Sequence, residues 1–367
     1  MGIFQETPET MNTPPKIRVG IVGLGFGKAV HIPAFLAHSS FEITALSSDD
    51  LELSRSTARA FAVKKVFPSW REMLESPDLD AVSIATPPDI QADIATAALS
   101  SGKSVFCEKP LSVDPDSARK LVNAAEVSGK PNMIDFEFPE IQQWREAKRM
   151  LDEGVPGELR EIEVSWKVQT YSNRNRLSSW KTMSSRGGGA LNSFTSHVLY
   201  YLEWFAGPIR ELSAEITRSP GDNRPGDTLN RLSALFCCGA KASVLVNTDD
   251  PSGEGHRLEF RGERGTILLE NRTKDHVRGF NISVSGENMP VPETSGEDPG
   301  FREFSGDARV IPVSRITGRF LKWIRNSEPQ KPDLRDGLRV QELLHAAGTS
   351  ALSGGTPVNC APKGVRK

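Results

Sequence analysis

An apolar run of strand length, Ile17–Val22, ends without a spacer in Gly23-Leu24-Gly25-Phe26-Gly27, and the sequence then turns helical around Ala29–Ala37. Strand, glycine turn and helix in that order leave few folds open. Glycines there let the backbone turn tightly and approach a pyrophosphate, which then meets the helix N-terminus. The third glycine of a G-x-G-x-x-G pattern falls on Lys28, so the fingerprint is imperfect. Taken alone the loop reads equally as an ordinary glycine turn. Its place in a first strand–turn–helix unit makes Gly23, Leu24, Gly25, Phe26 and Gly27 candidate cofactor-binding residues.

The alternation continues. Strands are expected at Phe41–Leu46, Ala81–Ala85, Ser104–Cys107 and Asn132–Phe136, with helices at Leu51–Phe61, Ile90–Leu99 and Ser117–Ser128. Strands separated by helical crossovers imply a parallel sheet, here a doubly wound α/β domain. After Phe138 the rhythm changes. A long amphipathic helix is expected at Glu140–Glu153, then mostly strands at Leu159–Val168, Glu211–Arg218, Leu229–Phe236, Lys241–Asn247, Arg257–Arg261 and Thr266–Glu270. Their alternation of apolar and polar residues suits an antiparallel sheet with two different faces. Helices are expected at Ser196–Phe205 and Asp336–Ser350, and loops at Ser219–Thr228 and Asn288–Phe304. The expected organisation is a disordered tail over residues 1–15, a doubly wound, Rossmann-type dinucleotide-binding domain over 16–137, and an α+β domain over 138–367.

With 367 residues the chain suits two domains. Lys+Arg 45 against Asp+Glu 47 gives a net charge of −2 with no long basic run, which argues against a nucleic-acid partner. No apolar stretch approaches bilayer length, so no membrane partner is expected. The first fifteen residues lack the basic and apolar regions of a signal peptide. Cys107, Cys237, Cys238 and Cys360 have no metal spacing and are too few for a disulfide framework. A reducing, cytoplasmic compartment and no metal are the expectation.

The end of the second strand decides the cofactor's phosphate state, because an acid there holds a ribose 2′-hydroxyl. The stretch reads Ala45-Leu46-Ser47-Ser48-Asp49-Asp50. Ser48 stands where an acid would, which leans toward NADP, with Ser47 beside it a further candidate cofactor contact, while Asp49 or Asp50 leaves NAD open. Thr86, Pro87 and Pro88 end the third strand, at the sheet edge where ligands bind in such folds; a Pro-stiffened turn explains the prolines equally. Lys109 leaves the fourth strand on the same side, and as a lone lysine it is a solvated charge.

Together these pieces change that reading. Val22-Gly23-Leu24-Gly25 with His31 and Pro33, Ala85-Thr86-Pro87-Pro88, Ala98-Leu99 before Gly102-Lys103, and Cys107-Glu108-Lys109-Pro110-Leu111 resemble the Gfo/Idh/MocA oxidoreductases. Asp336-Gly337-Leu338-Arg339-Val340 with Ala346 and Ser350 is similar to that family's closing helix. The resemblance runs from about Ile17 to Val358.

It implies NAD or NADP in the first domain and a sugar, cyclitol or sugar nucleotide on the second domain's sheet. It implies Lys109 as the acid/base group, Glu108 beside it as a cofactor-side residue that places it, and a cis Lys109–Pro110 bond. A lysine beside the nicotinamide and partly out of water can exchange a proton near neutrality. The family's second signature falls on Gly187–Tyr200, where His197 matches its histidine. Ser193 stands in place of the first aspartate, Thr195 of a glycine and Tyr200 of the second aspartate. Serine exchanges hydrogen bonds but carries no charge. Three readings stay open: Lys109 and His197 suffice with Ser193 holding substrate; Tyr200, one turn from His197, supplies a proton; or the chain keeps the fold as a non-catalytic nucleotide-binding or sensing protein.

Glu137, after the fifth strand, is a candidate substrate contact and equally a candidate domain-junction ion pair. Trp166 and Trp180, with Lys167, Arg176 and Lys181, lie where relatives shape substrate pockets, and aromatic and cationic groups there suit a phosphorylated or nucleotide-linked sugar. They fit a lid or a subunit contact as well. The resemblance further implies a homodimer or homotetramer through the open sheet face, and it allows an enzyme that uses NAD(P) transiently in elimination or hydrolysis.

Overall fold

The computed structural model describes residues 14–286, 289–293, 298–301 and 304–362. Residues 1–13 of the expected tail and parts of the loop expected at Asn288–Phe304 lie outside the described residues.

Strands β1 (Ile17–Val22), β2 (Phe41–Ser47), β3 (Lys65–Phe67), β4 (Ala81–Ile84), β5 (Ser104–Cys107) and β6 (Asn132–Ile134) form a six-stranded sheet in the order β3-β2-β1-β4-β5-β6. Every pair is parallel. Helices α1 (Ile32–Leu36), α2 (Leu51–Ala60), α3 (Trp70–Leu74), α4 (Pro88–Ser100) and α5 (Pro115–Ser128) make the crossovers. Val19, Ile21, Val82, Ile84, Val105 and Phe106 are fully buried. Both sheet faces are covered, which is why these strands read as unbroken apolar runs. Helix α5 shows how sharply local chemistry sets the ends: Asp114 accepts from the amides of Asp116 and Ser117, Pro115 opens the helix, and Gly129 closes it at φ +61°.

Helix α6 (Gln142–Asp152) leads into the second unit. Strands β7 (Leu159–Lys167), β8 (Ile209–Thr217), β9 (Leu229–Phe236), β10 (Lys241–Asn247), β11 (Gly255–Gly262), β12 (Gly265–Asn271), β13 (Asn281–Gly286) and β14 (Val358–Asn359) form an eight-stranded sheet, ordered β13-β12-β11-β7-β10-β9-β8-β14. All its pairs are antiparallel except β10 with β7. Helices α7 (Tyr171–Arg174), α8 (Ser196–Ala206), α9 (Val310–Asn326) and α10 (Leu334–Leu352) complete the fold. The chain is thus a Rossmann unit followed by an α+β unit with a large, mostly antiparallel sheet.

Helix α9 escapes the periodicity argument, because Pro312 and Gly318 read as breakers. Pro312 lies in the first turn, where a helix needs no amide donor. Val310, Val313, Ile316 and Phe320 then pack with Ile17, Val19, Phe35 and Phe106. Residues 310–326 therefore cover the first sheet, although they follow the second in sequence, and the helix N-cap, Arg309, is delivered to the site between the units.

The second sheet has two different faces. Ile162, Val164, Leu258 and Phe260 all point inward and are buried. The outward row holds Arg261, which pairs with Glu161, Glu163 and Glu259 at 3.1, 2.9 and 2.8 Å. That row also carries Leu235, Leu245 and Leu268, which are half-buried, so the outward face mixes charged and apolar side chains. Cys237 and Cys238 lie in the turn that follows β9.

Candidate active site

The glycine turn meets its steric demands at identifiable atoms. Gly23 has φ +87°, and a Cβ there would stand 2.4 Å from the carbonyl oxygen of Ala85. A Cβ on Gly25 would meet nothing within 4 Å, so the backbone there faces open space. Beyond the turn, a wide π-helical turn at Gly27–His31 precedes α1 and directs His31 inward. At the end of β2 the Ser48 hydroxyl accepts from the Asp50 amide at 3.0 Å, and the Asp50 carboxylate caps α2 through the Leu53 amide at 2.9 Å. Asp50 is thereby committed to the helix, leaving Asp49 as the free acid. Thr86 Oγ1, at the edge of the cavity described below, is buried without a hydrogen-bond partner. A cradle of open backbone beside an orphaned hydroxyl fits a bound dinucleotide.

Behind the turn lies a buried polar cluster. His31, fully buried, holds Ser83 Oγ at 2.7 Å through Nδ1 and Glu108 Oε1 at 3.0 Å through Nε2, with Asp135 Oδ2 at 3.6 Å. Burial opposes the imidazolium, but Asp135 and Glu108 outweigh it and raise His31 to about 9. Burial pushes Asp135 well above the usual carboxylate range, whereas His31 and Lys109 overcome burial to hold Glu108 below it. Glu108 Oε2 in turn accepts from the Lys109 amide at 3.2 Å.

A cavity of about 360 Å³ opens between the two sheets. Lys109 enters from the end of β5, next to a cis Lys109–Pro110 bond, and its Nζ donates to the Ser193 carbonyl oxygen at 2.9 Å. Ser193 lies in a second π-helical turn, Leu191–Thr195, that runs into α8 and His197. His197 is buried, and burial together with Lys109 holds it neutral, well below the usual imidazole range. Glu137 comes from the other wall, with Oε2 3.7 Å from His197 Nδ1. Burial raises Glu137 to about 7 although Lys109 pulls it down.

Of the residues singled out in the sequence, Phe26, Thr86, Glu108, Lys109, Glu137, Trp166, Trp180, Ser193 and His197 all line this cavity. Tyr200 does not. Its ring stacks on Phe136 at 4.2 Å, and burial pushes its hydroxyl well above the usual range. One turn along a helix shares a face only approximately, and here it turns Tyr200 away from the cavity that His197 enters. Gly23, Leu24, Gly25, Gly27, Ser47, Ser48, Pro87 and Pro88 stand along the first sheet's edge, outside the cavity lining.

Sequence reasoning missed Arg309, Asp227 and His276, which also line the cavity. Arg309 lies 4.8 Å over the Phe26 ring and pairs with Asp307 at 2.6 Å. Asp227 accepts from the Leu191 amide at 2.8 Å, and burial raises it to about 6. No motif marks any of the three. Arg176 is exposed and bridges the buried carboxylates of Asp222 and Asp249 at 3.2 and 2.8 Å. Arg224 beside it donates to the Ser172 and Leu177 carbonyls and to Asn173, fixing the wall made by residues 171–177. Among the described residues no helix is long and apolar enough to cross a membrane.

Comparison with known proteins agrees with this architecture. A family model described as an oxidoreductase family with an NAD-binding Rossmann fold matches residues 17–136, and one described as the GFO/IDH/MocA C-terminal domain matches residues 144–268. An uncharacterized oxidoreductase of Synechocystis sp. is 30% identical over 91% of this chain and 94% of its own. Levoglucosan dehydrogenase of Pseudarthrobacter phenanthrenivorans is 24% identical over 91% of this chain and 96% of its own. A solved levoglucosan dehydrogenase, in complex with NADH and levoglucosan, superposes with a TM-score of 0.78 at 24% identity, covering 95% of this chain and all of the other. At that identity the structural likeness is one of fold.

Proposed function

The chain belongs to the Gfo/Idh/MocA family of NAD(P)-dependent oxidoreductases, and from that premise we propose that it moves a hydride between nicotinamide and a carbinol or ketone carbon of a sugar, cyclitol or sugar nucleotide, with Lys109 as the acid/base group. The observation that carries the reading is the reach of Lys109 across the cavity to Ser193 O at 2.9 Å. The contact holds its amine at the floor of a pocket walled by Trp166, Trp180 and Phe138. Aromatic faces suit the C–H faces of a sugar ring, and the convergent polar groups of Lys109, Glu137, His197 and Asp227 suit its hydroxyls.

A bound nicotinamide dinucleotide supplies the hydride acceptor or donor. When bound, it would be held by Gly23–Gly27, Ser47, Ser48 and Thr86. Asp50 is bound to α2 and Ser48 turns back on Asp50, so no carboxylate is fixed at the ribose position; this favours NADP alongside NAD. Lys109 exchanges the hydroxyl proton, while His197 and Ser193 hold the substrate. Glu108, tied to His31 and to the Lys109 amide, keeps the lysine in place. The reading also carries a homo-oligomer and a cytoplasmic enzyme.

Fluorescence titration with NADH and NADPH side by side tests the cofactor. A screen of sugars and cyclitols, levoglucosan included, followed by nicotinamide absorbance tests the chemistry. Binding of neither dinucleotide overturns the proposal. Product formation without net change in absorbance would replace dehydrogenation with transient use of the cofactor.

A further inference from the structure

Ser193 provides no carboxylate on the helix that carries His197, yet an acid does face that histidine. Glu137 stands at the end of the first sheet, just beyond β6, on the wall opposite α8, with only 8% of its side chain exposed. Its Oε2 is 3.7 Å from His197 Nδ1, less than about 1 Å beyond hydrogen-bond length. Nδ1 itself is buried and has no hydrogen-bond partner among the described residues. His197 lines the cavity. Phe138 and Phe136 pack edge-on to the ring at 5.1 and 6.0 Å, and Trp166 lies 6.2 Å away, so apolar surfaces hold it on the remaining sides.

We propose that Glu137 is the positioning residue for His197: its carboxylate accepts Nδ1–H, fixes that tautomer and leaves Nε2 as an acceptor toward the cavity. The inference rests on the oxidoreductase reading and deepens it. A neutral imidazole carries one proton on either nitrogen, and a carboxylate at one nitrogen decides which. With Nε2 free, His197 receives a hydrogen bond from a substrate hydroxyl beside the reacting one, and the polyol is held with its reacting oxygen toward Lys109. An acid on the opposite wall thereby does for His197 what Ser193, on the histidine's own helix, cannot.

The surroundings make the pair sensitive to pH. Glu137 is faced by Lys109, Glu108, Asp135 and Arg309 as well as by His197, and His197 is faced by Lys109, His256, His276 and Arg309. Burial raises Glu137 to about 7, so it is an acceptor above neutrality and loses that role as it protonates below.

The test is ¹⁵N NMR of the histidine ring nitrogens in the full-length protein, with and without NADH, from pH 5.5 to 8.5. His197 is assigned by its loss in His197→Gln. The expected result is an Nδ1–H tautomer at the alkaline end that gives way to a mixture on a transition centred near pH 7, with the transition absent from Glu137→Gln. The same transition in Glu137→Gln, or an Nε2–H tautomer in the wild type at pH 8.5, overturns the proposal. NADH fluorescence on both proteins is the control. If neither binds NADH, the oxidoreductase reading fails while the tautomer result stands on its own. With a sugar that the wild type oxidises, Glu137→Leu lowers kcat about tenfold or more with NADH affinity unchanged, and Glu137→Gln, whose amide oxygen still accepts Nδ1–H, removes the rise of kcat through pH 7. An unaltered pH profile counts against the proposal.

Discussion

Lys109 Nζ donates a 2.9 Å hydrogen bond to the carbonyl oxygen of Ser193, joining the end of a strand in the first sheet to the π-helical turn that precedes α8. The contact uses the backbone of Ser193, so it tolerates the loss of a carboxylate from that side chain. Lys109→Met keeps the stem and removes the amine. It is expected to lower turnover by about 10²–10⁴-fold, the usual contribution of a positioned acid or base, with NADH affinity unchanged in a fluorescence titration. Turnover within a few-fold of wild type sinks the assignment.

Gly23 and Gly25 separate two functions of one turn. Gly23→Ala puts a methyl group 2.4 Å from Ala85 O at φ +87°, and it should destabilise the fold by roughly 1–3 kcal/mol or more as well as weaken binding. Gly25→Ala meets no protein atom within 4 Å. Its melting temperature should match wild type, while NADH affinity falls about tenfold, near 1.4 kcal/mol. Equal NADH affinity in Gly25→Ala and wild type would place the dinucleotide elsewhere.

Most of this architecture is legible because the first unit uses local signals: apolar strands, capped helices and a glycine turn follow one another at short range. Ser104–Cys107, Leu229–Phe236 and Lys241–Asn247 form with the bounds that their patterns indicate. Short elements such as β3 and β14 carry too few residues to show a period. The site was legible where a motif bears it, at Lys109 and His197. Arg309, Asp227 and His276 reach the cavity only through long-range packing. Arg309, for example, follows from α9 crossing back to the first sheet. Glu137 was visible as a candidate, but its pairing with His197 depends on two walls meeting, and no spacing along the chain encodes that.

The charged ladder on the second sheet gives assembly a distinct signature. Arg261, with Glu161, Glu163 and Glu259, stands on the face through which the proposed second copy of the chain would join. Polar contacts of this kind weaken with ionic strength, since screening shortens to about 3 Å at 1 M salt. Light scattering should therefore find a dimer or tetramer at low salt that dissociates toward about 1 M. An oligomer indifferent to salt would point to another surface, and a monomer at every salt concentration would end the proposal of assembly.

His31 should govern how stability changes with pH on the alkaline side. Its folded value of about 9 lies above the ordinary 6.5, because Asp135 and Glu108 outweigh the cost of burial. The folded protein therefore binds this proton more tightly than the unfolded chain does. The stabilisation is complete below pH 6.5 and is lost as pH rises through 9, with a magnitude of the order of 3 kcal/mol. Glu137 and Asp227, raised to about 7 and about 6, lose their contributions at lower pH, as the pH climbs from the ordinary carboxylate range through those values. The window from 7.5 to 9 therefore isolates His31 from both. Urea unfolding of the wild type should show stability falling across that window, and His31→Gln should be less stable at pH 7.5 and fall less steeply between 7.5 and 9. A slope of equal size in His31→Gln would assign the alkaline loss to another group and leave the His31–Glu108–Asp135 cluster without a proton of its own.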